Sequence, residues 1–328
     1  ASDHDKFVAF AGVLDKCAGN PIYHWSMLEL ARYFDFNEPL SAENAEKAWE
    51  HCNRVIAERQ LTARKLITDS HVEVLCTTDN PEDTLELHEQ IRKDLSFPVK
   101  VLPAFRPDRA FKIEDKDFCQ YVQKLGERFG HTVETYDDWL ATLKESILYF
   151  HERGCRLSDH GLDVLPQPYS EKGLAEKAFS RAIRGCSIDE KVAEAYKSQI
   201  LLDLSSLYWE KDWVMQLHFG ASRNNNLPMY TRLGADTGYD SISGTSNGSA
   251  LIALLKKMDF RGTLPKTILY SLNPVDNAML DTVCGCYSEP GTSGKIQHGS
   301  GWWFNDHILG IREQLENLAA HGVLGNFI

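Results

Sequence analysis

No stretch of this sequence approaches the roughly 18 apolar residues that a membrane-spanning helix needs. Its first residues, ASDHDKF, offer neither the positive lead nor the apolar run of a secretion signal. A soluble, cytoplasmic protein without a membrane partner is expected. Basic runs are missing too, as is any motif that reads DNA or RNA. The formal net charge of −12 disfavours nucleic-acid binding. It also requires an acidic ligand to be held by particular Arg or Lys residues. Of the eight cysteines, no two stand in C-x-x-C spacing, which argues against a zinc ribbon or a dithiol redox centre. Reduced thiols are expected; Cys284 and Cys286, in Cys-Gly-Cys, are the one pair that stands out by its closeness in sequence. The chain carries no low-complexity segment and no short repeat.

What is present is an alternation of short apolar runs and amphipathic helices. With 328 residues, 43% of them hydrophobic, the chain can build one large α/β barrel or two smaller domains. Strands are expected at Val72–Thr77, Val99–Ala104, Cys155–Leu157, Val214–Phe219, Thr267–Leu272 and Lys295–His298, and a further run opens at Val323. Helices are expected from Ser41 to Gln60, from Pro81 with Asn80 as cap, over Asp115–Gly130 and Tyr136–Arg153, along Ser170–Glu210, and from Asn305 to His321. Strands interleaved with helices imply parallel pairing. No strand is followed by the G-x-G-x-x-G turn of a doubly wound nucleotide fold. The expected fold is therefore a (β/α)8 TIM-type barrel with helical insertions. Residues 1–70 should form a helical N-terminal region, and 71–328 the barrel with an insertion near 170–210.

A barrel of this kind works at the carboxyl ends of its strands. Polar residues collect at six of them: Thr77, Thr78 and Asp79; Arg106 and Asp108; Ser158, Asp159 and His160; His218, Arg223 and the asparagines 224–226; Asn273 and Asp276; and His298, Trp302, Trp303, Asn305 and Asp306. Any one of these groups has a plain structural explanation, such as a turn, a cap or packing. Their convergence on one mouth favours a pocket for a small hydroxylated ligand. Arg106 and Arg223 are suited to a carboxylate through charge-assisted bonds.

The stretches NPIYHWSMLEL (20–30), TTDNPEDTLELH (77–88), KVLPAFRPDRAF (100–111), GCRLSDHGLDV (154–164), QLHFGASRNNN (216–226), LGADTGYDSI (233–242), LPKTILYSLNPVDN (264–277) and GKIQHGSGWWFND (294–306) resemble, in order, those of the uronate isomerase family, a branch of the amidohydrolase-like barrels. The resemblance implies aldose–ketose isomerisation of hexuronates: D-glucuronate to D-fructuronate and D-galacturonate to D-tagaturonate. A proton would move between C2 and C1 through an enediol. It implies catalytic roles for Arg106 and His218 and a pocket-lining role for Trp302; by their places at the strand ends, Asp159, His160, Arg223, Asn224, Asn225 and Trp303 are the further candidates for substrate contacts. The family also uses a divalent metal, usually zinc, held by a His-x-His pair on the first strand and an Asp on the eighth. No two of the twelve histidines stand two residues apart, so no metal ligand is assigned here. The chain accordingly reads as a barrel incomplete at both ends, inactive by itself and a possible homo-oligomer. Alternatives are a non-catalytic remnant that binds sugar acids, or a metal-dependent hydrolase of the same superfamily.

Overall fold

The computed structural model describes residues 1–167, 172–292 and 294–328. The chain divides into two compact units, residues 1–75 with 94–100, and residues 76–93 with 101–328.

The first unit is helical: α1 (Asp3–Leu14), α2 (Pro21–Phe34), α3 (Ala45–Arg59) and α4 (Ala63–Asp69). Ser2 and Asp5 form a reciprocal capping box on α1, and Asn20 caps α2 with Pro21 in its first turn. The third helix starts at Ala45 rather than at Ser41, and the Ser41 backbone N–H donates to the side chain of Asn44. Ala11, Leu14, Leu30, Phe36, Leu40 and Ala48 make a small core of this unit's own.

The strands are β1 (Val74–Asp79), β2 (Lys100–Phe105), β3 (Leu157–Gly161), β4 (Val214–Phe219), β5 (Ala221–Ser222), β6 (Ser241–Ile242), β7 (Thr267–Ser271) and β8 (Ile296–His298). Six form one sheet in the order β1-β2-β3-β4-β7-β8. From β2 to β8 every neighbouring pair is parallel. Beyond β8, Phe327 pairs in parallel with His298. The connections of the second unit are helical: α5 (Glu86–Lys93), α6 (Asp108–Phe111), α7 (Phe118–Phe129), α8 (Tyr136–Glu152), α9 (Lys172–Ala182), α10 (Glu190–Glu210), α11 (Leu227–Leu233), α12 (Gly248–Phe260), α13 (Asn277–Cys286) and α14 (Ile308–Ala320). This is the expected α/β barrel architecture of parallel strands and crossover helices.

The differences from expectation are local. The insertion is two helices, α9 and α10, rather than one; Ser170, its expected start, lies outside the described residues. Residues 81–85 form a turn, not a helix: Asp83 ties back to the Asn80 N–H, and Leu85 takes a left-handed φ of 57°. The third strand begins at Leu157 and continues through the polar residues to Gly161, whereas Cys155 precedes it. The excursion between β4 and α12 closes with the antiparallel ribbon of β5 and β6.

The core of the second unit lies between the sheet and its helices. Trp139 is fully buried there and its indole donates to the Tyr196 hydroxyl at 3.0 Å, which donates in turn to the Ala110 carbonyl at 2.8 Å. Both aromatic polar atoms are thus satisfied within an apolar layer. All eight cysteines are free thiols.

Candidate active site

Parallel register decides which residues meet at the carboxyl ends of the strands. Gly161 on β3 lies beside His218 on β4, and His218 beside Tyr270 on β7. Leu269 pairs with His298 on β8, which puts Gly299 next to Tyr270. Below this row, Asp159 shares a face with Gly161, since side chains alternate along a strand.

Arg106, Asp159, His218, Arg223 and Trp302 line a cavity of about 160 Å³ over this row. Asp159 Oδ1 lies 2.8 Å from His218 Nδ1, but neither atom has a partner in hydrogen-bonding alignment. The two are in contact and still have bonding capacity for a third group. Asp159 Oδ2 is 3.4 Å from Arg106 Nη1, and Arg106 Nε donates to Asp108 at 2.8 Å. Burial pushes the Asp159 carboxyl up; contact with His218 and the charge of Arg106 outweigh it and hold the group below its ordinary range. Burial alone would lower the Arg106 pKa, but Asp108 and Asp159 raise it, so the guanidinium stays charged. Trp302 presents its ring edge-on to His218, with centroids 5.1 Å apart, and its buried indole N–H has no protein partner.

Arg223 reaches the same cavity from the excursion after β4. Its Nε donates to Asp163 at 2.8 Å, Asp236 and Asp240 lie 3.5 Å and 3.7 Å from Nη1, and its guanidinium sits over the Trp303 ring. Trp303 itself is largely exposed and supports Arg223 from behind. Asn224 and Asn225 hold the excursion together: the Asn224 N–H donates to Asp240, and the Asn225 amide bonds Ser222 and Ser241. Neither lines the cavity.

His160 stands apart. It follows Asp159 within β3 and so faces the helices, fully buried against Phe111 and Tyr208. Burial drives its pKa down to about 4, which keeps the ring neutral. It does not line the cavity.

Several of the other polar strand ends bond within the protein, whereas the buried Ser158 hydroxyl has no hydrogen-bond partner. The Thr77 hydroxyl donates to Asp79 and meets His88 Nε2, each at 2.7 Å. Ser271 bonds Asp276, Asn305 donates to the Leu272 carbonyl, and fully buried His298 lies 2.7 Å from Asp281. Among the described residues, no group of three or more His, Cys, Asp or Glu could hold a metal ion. Sequence reasoning missed Asp163, Gly161 and Tyr270. Asp163 could have been noticed as the next carboxylate after Asp159; Tyr270, inside an apolar run, carried no signal.

Parallel strands with crossover helices, and a carboxylate, an imidazole and a guanidinium gathered at the strands' carboxyl ends, are the layout of an α/β-barrel enzyme. The model of the glucuronate isomerase family matches residues 1–328. A uronate isomerase from Caldanaerobacter subterraneus subsp. tengcongensis is 43% identical over 328 residues, all of this chain and 70% of the relative. One from Caldicellulosiruptor saccharolyticus is 44% identical over 330 residues, with the same coverage. The crystal structure of uronate isomerase from Thermotoga maritima superposes with a TM-score of 0.91 at 33% identity, covering 99% of this chain and 69% of that one. That of glucuronate isomerase from Caulobacter crescentus, at 23% identity and a TM-score of 0.86, shares the fold. The chain belongs to the glucuronate isomerase family. It is an isomerase by family, an intramolecular oxidoreductase.

Proposed function

We propose that the site interconverts hexuronates as aldose and ketose, D-glucuronate with D-fructuronate and D-galacturonate with D-tagaturonate, by moving a proton between C2 and C1 through an enediol. The observation that supports this most is the contact of Asp159 with His218. A carboxylate oxygen and an imidazole nitrogen meet at 2.8 Å, and both still lack an aligned partner. A substrate hydroxyl placed against the pair could donate to the carboxylate and exchange its proton with the imidazole. In this reading the Asp159 carboxylate takes the C2 proton and returns it to C1, while His218, whose kind of side chain exchanges protons near neutral pH, passes the hydroxyl proton as the carbonyl shifts from C1 to C2. Arg106 stays cationic throughout and faces the negative charge of the uronate and its enediolate. Trp302 closes one side and offers its N–H to a sugar oxygen, while Arg223 borders the other. We place such a reaction in the cytoplasm, where the eight free cysteines would stay reduced.

The family's divalent metal, zinc by resemblance, would supply Lewis acidity. The described residues do not fit such an ion: Asp159 and His218 give two donors, short of the three of a catalytic zinc site. No step is therefore routed through it.

Steady-state kinetics of Arg106→Met and His218→Asn in the intact enzyme test the assignment. Loss of a charge-assisted contact costs on the order of 1.5–3 kcal/mol, so each should lose roughly 10- to 150-fold in kcat/KM. Near-parental efficiency in variants with parental circular dichroism would remove both residues from the mechanism.

A further inference from the structure

His218 is held on its flat face as well as at its nitrogen. The Tyr270 ring lies parallel to the imidazole, with centroids 4.2 Å apart and planes 3° from parallel. The Trp302 edge meets it at 82°. With one face covered at van der Waals distance and an indole against it, the imidazole has little room to turn about its Cβ–Cγ bond. Its nitrogens are thereby aimed in a fixed direction.

Tyr270 can lie this way because its other neighbour has no side chain. A Cβ on Gly299 would fall 2.0 Å from Tyr270 Cε1, inside the ring. At the opposite end of the row, a Cβ on Gly161 would fall 2.4 Å from Arg106 Nη2. Neither glycine has a positive φ, so backbone freedom does not explain them; space does. Across the four strands the row reads Gly161, His218, Tyr270, Gly299. Two bare positions flank two large rings: one admits the arginine over the strand, the other lets the tyrosine lie flat on the histidine.

We infer that Tyr270 is a positioning residue for His218, and that Gly299 is the position that allows it to be one. The inference rests on the reading of His218 as the proton-handling group. Packing by itself would accept an aromatic pair in many geometries. This pair is coplanar, at the cavity and next to a residue whose absent side chain fits the ring. Burial and the nearby Asp159 carboxylate push the Tyr270 phenol up, so the ring remains neutral beside the imidazole.

Three variants in the intact enzyme test this: Tyr270→Leu, Tyr270→Phe and Gly299→Ala. Misplacing a reacting group by about 1 Å can cost on the order of 100-fold. Tyr270→Leu should therefore lower kcat by roughly 10- to 100-fold while KM changes far less. Tyr270→Phe, which keeps the stacked ring, should retain most of kcat. Gly299→Ala should resemble Tyr270→Leu, because its methyl evicts the ring, and the double variant Tyr270→Leu/Gly299→Ala should be no worse than either single one. If Tyr270→Leu does not fold, Gly299→Ala carries the test, since it leaves both rings in the chain. The proposal is overturned if Gly299→Ala and the folded Tyr270 variants keep parental kcat while His218→Asn is impaired. It is likewise overturned if their losses multiply in the double variant. Parental activity in His218→Asn would instead overturn the reading beneath it.

Discussion

His160 and Asp159 are adjacent and do opposite things. Asp159 touches a histidine and an arginine at the cavity, while His160 is buried under helices with neither ring nitrogen partnered. The difference is the pleat of β3, which turns successive side chains to opposite faces. It has a thermodynamic consequence. An unfolded histidine titrates near 6.5, whereas burial holds His160 at about 4. Between those values the unfolded chain binds the extra proton, so stability falls as pH drops from about 6.5 to about 4 and levels off below. His160→Phe, similar in volume and unable to ionise, should flatten that part of the stability profile, by up to about 3 kcal/mol at pH 4. Urea melts of both proteins at pH 4.5 and 7 measure it; equal losses in the two would refute it. The same pair shows where sequence reasoning reached its limit. The apolar run at Cys155–Leu157 read as the strand and Ser158–His160 as its polar end. The strand in fact runs through those polar residues to Gly161, so one of the two neighbouring site candidates on it had to face away. Tyr270 escaped notice for the reverse reason: a phenol within an apolar run reads as core until strand register sets it against His218.

At the scale of elements, the parallel strands were legible wherever apolar residues dominated. β4 is the clearest case, with Met215, Leu217 and Phe219 buried on one face and His218 on the other. Helix α8 was legible from its start, because Thr135 and Asp138 cap each other's backbone across the first turn. Thr135→Ala should cost about 1 kcal/mol and lower the melting temperature by about 2–4 °C, with kcat unchanged; a differential scanning calorimetry trace identical to the parent would contradict this. Two helix starts differ from the expected ones: α3 begins at Ala45, after Asn44 accepts from the Ser41 N–H, and α5 begins at Glu86, after Leu85 in the left-handed region. The asparagines 224 and 225, expected as substrate contacts, bond within the excursion after β4.

At the scale of the whole molecule, fold and family agree with what the strand–helix alternation and the ordered motifs implied. The arginines at the cavity have a further effect, on how substrate arrives. Arg106 sits among Asp108 and Asp159, and Arg223 among Asp163, Asp236 and Asp240, so carboxylates outnumber guanidiniums around the opening. The chain as a whole carries −12. A hexuronate anion therefore diffuses toward a surface that repels it at long range and gains attraction only on contact. Dissolved ions should help such an encounter. Raising ionic strength shortens the Debye length from about 30 Å at 0.01 M to about 8 Å at 0.15 M, and kcat/KM should rise over that interval. Enzymes that draw their substrates in electrostatically slow down instead. A stopped-flow or steady-state salt series with an inert electrolyte would decide it, and a monotonic fall would mean that local attraction extends well beyond the cavity.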